Sequence, residues 1–362
     1  MKSGLTLTDL ASELERQSTA KRDFVAPTTK LEMLPDTRIR LTDTGDFAVR
    51  EYAHGQISGY TGIPKPYYDK MRAEEPRLLA DNVNTWLHKN PERRMVRTLD
   101  GNMRALLSER YRPLDNHDLA IAAFETLKDK GLNIEHSSFA VTETKLYMKF
   151  VTPKIEHMIV PGRHEYVAAN EGKGHLVQAG IVISNSEVGA GSVKIEPMLF
   201  WLRCLNGLIV ADASLRKFHV GKGFGNGNGE QVEAFFKDET RRADDAAFFM
   251  KVRDLVRGVF DSIKFGELVE RVQSTTTEKI DGDPVKAVEQ VAIKWSLKDE
   301  DRKGIFKRLI EGADLSRYGL LNAVTRHSQD VDSYEDATTL ERLGGEIVEL
   351  SPTDWKAIAT AA

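Results

Sequence analysis

Arginine is concentrated in one short part of the sequence, where only Asp100 and Glu109 oppose it. Guanidinium groups on neighbouring strands, with Tyr111 among them, can follow a phosphate backbone and offer a ring on which a base stacks. The same pattern is typical of a solvated outer face with ordinary ion pairs, so both interpretations stay open. The candidate phosphate-contacting residues are Arg93, Arg94, Arg97, Arg104, Arg110 and Arg112.

Two further aromatic residues lie in "QISGYTGIPKPYYDKMR", residues 56–72. Two short helices joined by a glycine turn would resemble a helix-turn-helix, whose second helix presents side chains to bases. Pro64 and Pro66 are more natural at a helix start, which favours ordinary helix packing. Tyr67, Tyr68 and Tyr111 are the candidates for stacking on bases.

A polar segment, "SNSEVGAGSVKIEP" (residues 184–197), separates two apolar runs. Its first residues are typical of a strand end, and its glycines indicate a bend or a close backbone approach. Glu187 lies either at the surface or beside a cation, for which we name Arg203, and a buried pair would need full hydrogen bonding. The candidates for a structural turn or subunit contact are Ser184, Asn185, Glu187, Gly189, Gly191 and Arg203.

The motifs of catalysis and metal binding are weak. His157, His164 and His175 share a strand-rich region but lack a cysteine partner or an H-E-x-x-H frame. The segment "GKGFGNGNG", residues 221–229, lacks the Gly-Lys-Ser/Thr ending of a P-loop. The one cysteine, Cys204, is expected to be a small buried hydrophobic residue. The sequence therefore predicts no catalytic residue, no metal site and no cofactor.

Composition limits the class of protein. The 362 residues include 51 Lys and Arg against 55 Asp and Glu, a net charge of −4, so any nucleic-acid site must be a local basic patch. A single cysteine fits a reducing compartment. The chain has neither a signal-peptide core nor a run of about 18 apolar residues. We therefore expect a cytoplasmic protein with no membrane partner.

Periodicity and turn residues predict an α+β fold, with a mixed or antiparallel hairpin-rich sheet, packed helices and a helical C-terminal region. Asp100-Gly101 marks a hairpin turn, and the apolar run 197–210 is interpreted as a helix. The predicted divisions are N-terminal strands and helices in 1–92, an α+β core in 93–220, a glycine-rich loop in 221–229 and a helical region in 230–362.

Four segments together resemble the DUF932 family of phage- and plasmid-encoded proteins, across about residues 45–345. They are "GYTGIPKPYYDKM", "ALLSERYRPLDNHDL", "SNSEVGAGSVKIEPMLFWLRCLNGLI" and "GLLNAVTR…YEDATTLERLGG". The resemblance implies a mobile-element origin without an assigned activity. In outline, a hairpin-rich sheet followed by a helix is also similar to single-strand annealing proteins, which hold single-stranded DNA in a basic groove of an oligomeric ring. This outline implies a homo-oligomer without a catalytic centre.

Three hypotheses follow. The first is a non-enzymatic protein that binds or anneals single-stranded DNA in recombination or replication, with an affinity that falls with salt. The second is a non-catalytic module that binds a host or phage protein, in anti-defence or regulation, through an interface formed by its acidic balance and its helical C-terminal region. The third is a nuclease that uses Glu187 and nearby carboxylates, whose activity would need a metal and would be lost in Glu187→Ala.

Overall fold

A computed structural model describes residues 1–111, 113–160, 175–202, 204–210 and 238–361. Within these ranges the chain forms two sheets with helices packed around them, so the α+β prediction is confirmed. No helix in the described ranges is both long and apolar enough to span a bilayer.

The first sheet has six strands in the order β1-β5-β6-β4-β3-β2, and only the β4–β6 pair is parallel. Its strands are β1 Arg22–Pro27, β2 Leu31–Met33, β3 Ile39–Leu41, β4 Gly45–Val49, β5 Arg93–Leu99 and β6 Asn102–Ser108. Helices α2 Glu51–Thr61, α3 Lys65–Glu74 and α4 Pro76–Lys89 cover one face. Val96 and Leu106 of the sheet share a buried cluster with Ile57 and Val83 of these helices, because apolar residues recur at strand and helix spacing.

The second sheet is fully antiparallel, in the order β11-β10-β9-β8-β7. Its strands are β7 His136–Val141, β8 Leu146–Ile159, β9 His175–Asn185, β10 Lys194–Trp201 and β11 Gly207–Ile209. Helices α1 Leu7–Ala20 and α5 Asn116–Asp129 contribute Leu10 and Leu119 to the large cluster on one face, beside Ile181. Strand β8 has an irregularity between Thr152 and Glu156 and continues past it to Ile159.

The C-terminal region is helical over its described residues, as predicted, and its helices pack beside the second sheet. They are α6 Asp238–Val259, α7 Ser262–Ser274, α8 Pro284–Lys294, α9 Asp299–Gly312, α10 Arg317–His327, α11 Tyr334–Val348 and α12 Pro352–Ala359. Leu321 of α10 and Leu343 of α11 belong to the same buried cluster as the sheet. Gly345 of α11 fits directly against the backbone of β11, where an added Cβ would lie 2.0 Å from the Ile209 carbonyl oxygen.

The structure contradicts two predictions from the sequence: the helix over residues 197–210 and the division after residue 92. The run 197–210 is not a helix but contributes strands β10 and β11. Both faces of β10 are buried, Leu199 in one cluster and Phe200 in another, so the segment lacks the alternation that normally identifies a strand. The predicted division after residue 92 cuts through the first sheet, because β5 and β6 pair with β1 and β4. The glycine-rich segment 221–229 lies outside the described residues.

Candidate functional site

The arginines of the β5–β6 hairpin fall into two groups. Because alternate residues of a strand face opposite sides, Arg97 points away from the α2–α4 helices and into the junction between the two sheets. Arg104 on β6 reaches the same junction, and both side chains are buried. Arg93 and Arg94 lie instead at the outer end of β5, where Arg94 pairs in register with Ser108 at the end of β6. The junction and the outer end of the hairpin therefore form two separate sites.

Arg97 is fully buried and surrounded by acceptors. Its Nε lies 2.8 Å from Asp23 Oδ1, Nη1 donates to the Glu187 carbonyl oxygen at 2.7 Å, and Nη2 lies 3.2 Å from Asp115 Oδ1. Burial alone would lower the pKa of Arg97, but the Asp23 hydrogen bond and the surrounding carboxylates outweigh it and raise the pKa. The guanidinium is thus charged and fully engaged inside the protein, so the prediction that Arg97 contacts phosphates is wrong for this conformation.

Glu187 forms an ion pair with Arg104, the second buried arginine. Its Oε2 lies 2.5 Å from Arg104 Nη2, and its Oε1 accepts the backbone N–H of Asn116 at 2.6 Å. Asn116 is the first residue of α5, where unpaired N–H groups and the helix dipole favour a negative charge. Arg104 is therefore also closed to phosphates. The predicted partner of Glu187, Arg203, lies outside the described residues.

Carboxylates complete this junction network. Asp115 bridges Arg97 and Lys21, whose Nζ lies 2.5 Å from Asp115 Oδ2. Burial would raise the pKa of Asp115, but the hydrogen bond and charge of Lys21, together with the charge of Arg97, lower it. Three cations and three carboxylates balance one another in the network: Lys21, Arg97, Arg104, Asp23, Asp115 and Glu187. Such a balanced and hydrogen-bonded cluster fixes the position of the first sheet against the second.

The segment 184–191 is the structural turn that carries Glu187 into the junction. Ser184 is buried, and the Asn185 amide donates to the Leu114 carbonyl oxygen at 2.9 Å. Gly189 has φ +82°, and a Cβ there would lie 2.8 Å from Leu107 Cδ2 on the first sheet. Gly191 has φ +155° at the return toward β10. Because its polar side chains are buried inside one chain, they are closed to a second subunit.

The outer arginines are less buried than Arg97 and Arg104, but they differ from one another: the Arg94 side chain is only 23% exposed, and its Nε is buried. Arg93 is 57% exposed, and its Nε lies 2.9 Å from Glu109 Oε2. The Arg94 guanidinium lies 4.3 Å from the ring centroid of Tyr60 and donates to Glu92 Oε2 at 2.6 Å. Arg110, also exposed, follows the end of β6 by two residues and so belongs to the same end of the hairpin. We call Arg93, Arg94 and Arg110 the outer arginine group; Arg112 lies outside the described residues.

The three candidate tyrosines differ in access. Tyr67 on α3 is 51% exposed. Tyr68 is fully buried, and its hydroxyl is hydrogen-bonded to His54 Nδ1 at 2.8 Å. Burial raises the pKa of Tyr68 and lowers that of His54 to about 4. Tyr111 is half-buried and donates to the Ser186 carbonyl oxygen at 3.2 Å. The prediction of stacking is therefore wrong for Tyr68, since its ring belongs to the core, while Tyr67 is accessible.

A second buried charge pair, which the sequence did not predict, joins β8 to α11. Lys149 Nζ lies 2.5 Å from Glu341 Oε2, and both side chains are inaccessible to solvent. Burial lowers the pKa of Lys149, and its ammonium group also lies 4.5 Å from the ring centroid of Tyr334. No local sequence pattern pairs residues that are 192 positions apart. The pair anchors a C-terminal helix to the second sheet.

The two candidate histidines that the structure describes lie in packing and hydrogen-bonding contacts. His157 packs against Phe265, and His175 Nδ1 is hydrogen-bonded to the Tyr318 hydroxyl, while His164 is outside the described residues. No group of three or more metal-type ligands occurs in the described part of the chain. Both oxygens of Glu187 are occupied, which disfavours a metal-dependent nuclease centred on it. Cys204, expected to be buried, is half-buried.

Comparisons with protein-family models, with curated proteins and with solved structures found no match to this chain. The resemblance to the DUF932 family therefore stays a prediction.

Proposed function

We propose that the protein binds single-stranded nucleic acid, as single-stranded DNA in recombination or replication, through the outer arginine group. The observation that supports this proposal is the segregation of the arginines. Arg97 and Arg104 are paired within the junction network, whereas Arg93 and Arg94 lie at the outer end of the same hairpin with side chains that are 57% and 23% exposed. Arginine presents several donors in a planar fork that suits phosphate oxygens.

The carboxylates beside the outer arginine group do not prevent this function. Arg93 pairs with Glu109 and Arg94 with Glu92, and the two carboxylates are 40% and 57% exposed. An exposed ion pair such as Arg93–Glu109 contributes only about 0–1 kcal/mol, so a phosphate can replace Glu109 at small cost. A nucleic-acid strand also gains free energy by releasing counterions. The group thus supports a salt-sensitive binding site of moderate affinity.

The proposal includes a non-catalytic role and a cytoplasmic location, for which the single cysteine is the support. The resemblance to a phage and plasmid family adds a mobile-element origin as a further proposal, and the outline similarity to single-strand annealing proteins adds homo-oligomeric assembly. An annealing protein needs no reaction centre. This agrees with the contacts of Glu187, whose two carboxylate oxygens are bound by Arg104 and by the backbone N–H of Asn116.

The proposal can be tested by fluorescence anisotropy with a labelled single-stranded oligonucleotide. The variant Arg93→Glu/Arg94→Glu reverses two charges at the outer end of the hairpin, and we expect its affinity to fall at least about tenfold. The control is Arg38→Glu/Arg40→Glu, since these two arginines are exposed and also paired with carboxylates, immediately before β3 and within it. We expect the control to bind like the wild type. Equal affinity of both variants would contradict the proposed site.

A second candidate is the protein-binding module that acts on a host or phage protein. It is favoured by exposed apolar side chains on the C-terminal helices, chiefly Ile293 of α8, which is 71% exposed, and Ile310 of α9. Exposed apolar residues often contribute to protein interfaces. Stable capture of one defined partner that is lost in Ile293→Asp/Ile310→Asp, with no retention on single-stranded DNA, would favour this candidate over the first.

A further inference from the structure

Trp86 on α4 has the most solvent-exposed side chain of the four tryptophans. Its side chain is 42% exposed, whereas Trp201 and Trp355 are buried and Trp295 is half-buried. A large aromatic ring that remains in solvent offers a face to a ligand. No local sequence pattern distinguishes Trp86, because a tryptophan in an amphipathic helix normally packs into the core.

One cation lies over the Trp86 ring, and a second cation follows soon after it in the sequence. The ammonium group of Lys89, the last residue of α4, lies 4.7 Å from the centroid of the indole ring. Arg93 begins β5 only four residues after Lys89, so the connecting backbone spans at most about 14 Å. Trp86 thus lies within a few residues of the outer arginine group, at the end of the first sheet where we propose that nucleic acid binds.

Tyr67 adds a second exposed ring on the neighbouring helix. The Asn82 amide nitrogen of α4 contacts Met71 Sδ of α3 at 3.8 Å, which shows that the two helices pack at these positions. Tyr67 precedes Met71 by four residues and Trp86 follows Asn82 by four residues. Each ring is therefore attached one helical turn, about 6 Å, from the same helix–helix contact. Tyr67 and Trp86 are therefore exposed rings on two packed helices, and Lys89 adds a cation beside the ring of Trp86.

We infer that Trp86 stacks on an unpaired nucleobase and gives the site its preference for single strands. This inference rests on the proposed function. A base within a duplex has both faces covered by its neighbours, so only an unpaired base can lie on the indole. A cation over an exposed ring contributes less than a stacked base, and Lys89 has a flexible stem. The base displaces the Lys89 ammonium from the ring, and the ammonium then binds a phosphate.

The ligand is single-stranded DNA or RNA, since stacking and phosphate contacts are common to both. The probes are oligo(dT), oligo(U) and a duplex of equal length, and the readouts are anisotropy and tryptophan fluorescence. We expect oligo(dT) or oligo(U) to quench the wild-type fluorescence and Trp86→Ala to bind the better of the two about tenfold more weakly. The duplex affinity should not change. The preferred oligonucleotide identifies the natural strand.

Two control variants distinguish loss of the aromatic face from a general disturbance of helix α4. Trp86→Phe retains an aromatic face, and we expect it to keep single-strand binding within about threefold of the wild type. Leu78→Ala alters another exposed apolar residue of α4 and should bind like the wild type. If Trp86→Ala binds single strands normally while Arg93→Glu/Arg94→Glu does not, the inference is wrong and the proposed function stands. If the wild type binds none of the probes, the proposed function is wrong. In that case, capture of a protein that depends on Trp86 would show that the surface around Trp86 binds a protein partner.

Discussion

Arg104 and Glu187, which are 83 positions apart in sequence, form a buried ion pair with 2.5 Å between guanidinium nitrogen and carboxylate oxygen. The pair links β6 of the first sheet to the turn between β9 and β10 of the second. Apolar contacts beside it are few: Met95, Leu107 and Val188 form part of a small cluster. The relative position of the two sheets therefore depends strongly on charged groups.

Removal of one partner of this pair should destabilise the protein. Arg104→Met leaves the Glu187 carboxylate buried without its cation, and we expect the free energy of unfolding to fall by about 3–5 kcal/mol. Urea denaturation followed by circular dichroism measures this change. Glu74→Ala, which removes one partner of the exposed Lys70 pair, serves as the control and should cost less than about 1 kcal/mol. Similar values for the two variants would contradict the role of the junction.

The outer arginine group and the arginines of the junction network should contribute differently to the salt dependence of nucleic-acid binding. Arg93→Ala removes one outer guanidinium, so the plot of log affinity against log salt for a single strand should become shallower by about 0.7. Arg97→Met should destabilise the fold but leave this slope unchanged, because Arg97 donates to Asp23, Asp115 and the Glu187 carbonyl. A shallower slope in Arg97→Met, measured where the variant is folded, would show that Arg97 reaches phosphates after all.

His54 should make stability depend on pH below neutrality. Burial, and to a lesser extent the charge of Arg72, lowers the pKa of His54 to about 4 in the folded state, against about 6.5 when unfolded. Between these values the unfolded chain binds more protons, so stability falls as the pH falls from 6.5 to 4. The expected loss is about 3 kcal/mol.

Denaturation of the wild type and of His54→Gln at pH 7 and pH 4 measures this contribution. The variant should be less stable at pH 7, because it disturbs the hydrogen bond to Tyr68, but should lose less stability on acidification. An equal loss in both proteins would show that His54 does not titrate in this interval.

Lys149 and Glu341 should behave as a coupled pair. Lys149→Met and Glu341→Leu each leave one buried charge alone and should each cost about 3–5 kcal/mol. The double variant removes both charges, so its cost should be smaller than the sum of the single costs. Denaturation of all four proteins gives the coupling energy, and additive costs would mean that the two groups do not interact.

Local signals in the sequence were sufficient for the hairpin. Asp100 and Gly101 have φ values of +54° and +73°, and Leu99 pairs with Asn102, as expected for an Asp-Gly turn. The helices that begin near Pro64 and Pro76 also agree with the sequence, because proline fits a first turn.

Long-range relations were not predictable in the same way. A strand normally alternates between a buried and a solvated face, but β5 is buried on both, so arginine spacing could not distinguish Arg97 from Arg93. The carboxylates that hold Arg97, Asp23 and Asp115, lie on other elements. For Glu187, sequence proximity suggested Arg203, whereas the folded chain supplies Arg104 from the other sheet.

The most direct test of the proposed function is the affinity of the wild-type protein for a single-stranded oligonucleotide and its duplex across a salt series. Each of the three outer guanidinium groups would release counterions from the nucleic-acid phosphates. We therefore expect a slope of about −2 for log affinity against log salt concentration. We also expect the single strand to be bound more tightly than the duplex. Absence of binding at low salt, or an affinity that does not change with salt, would contradict the proposal.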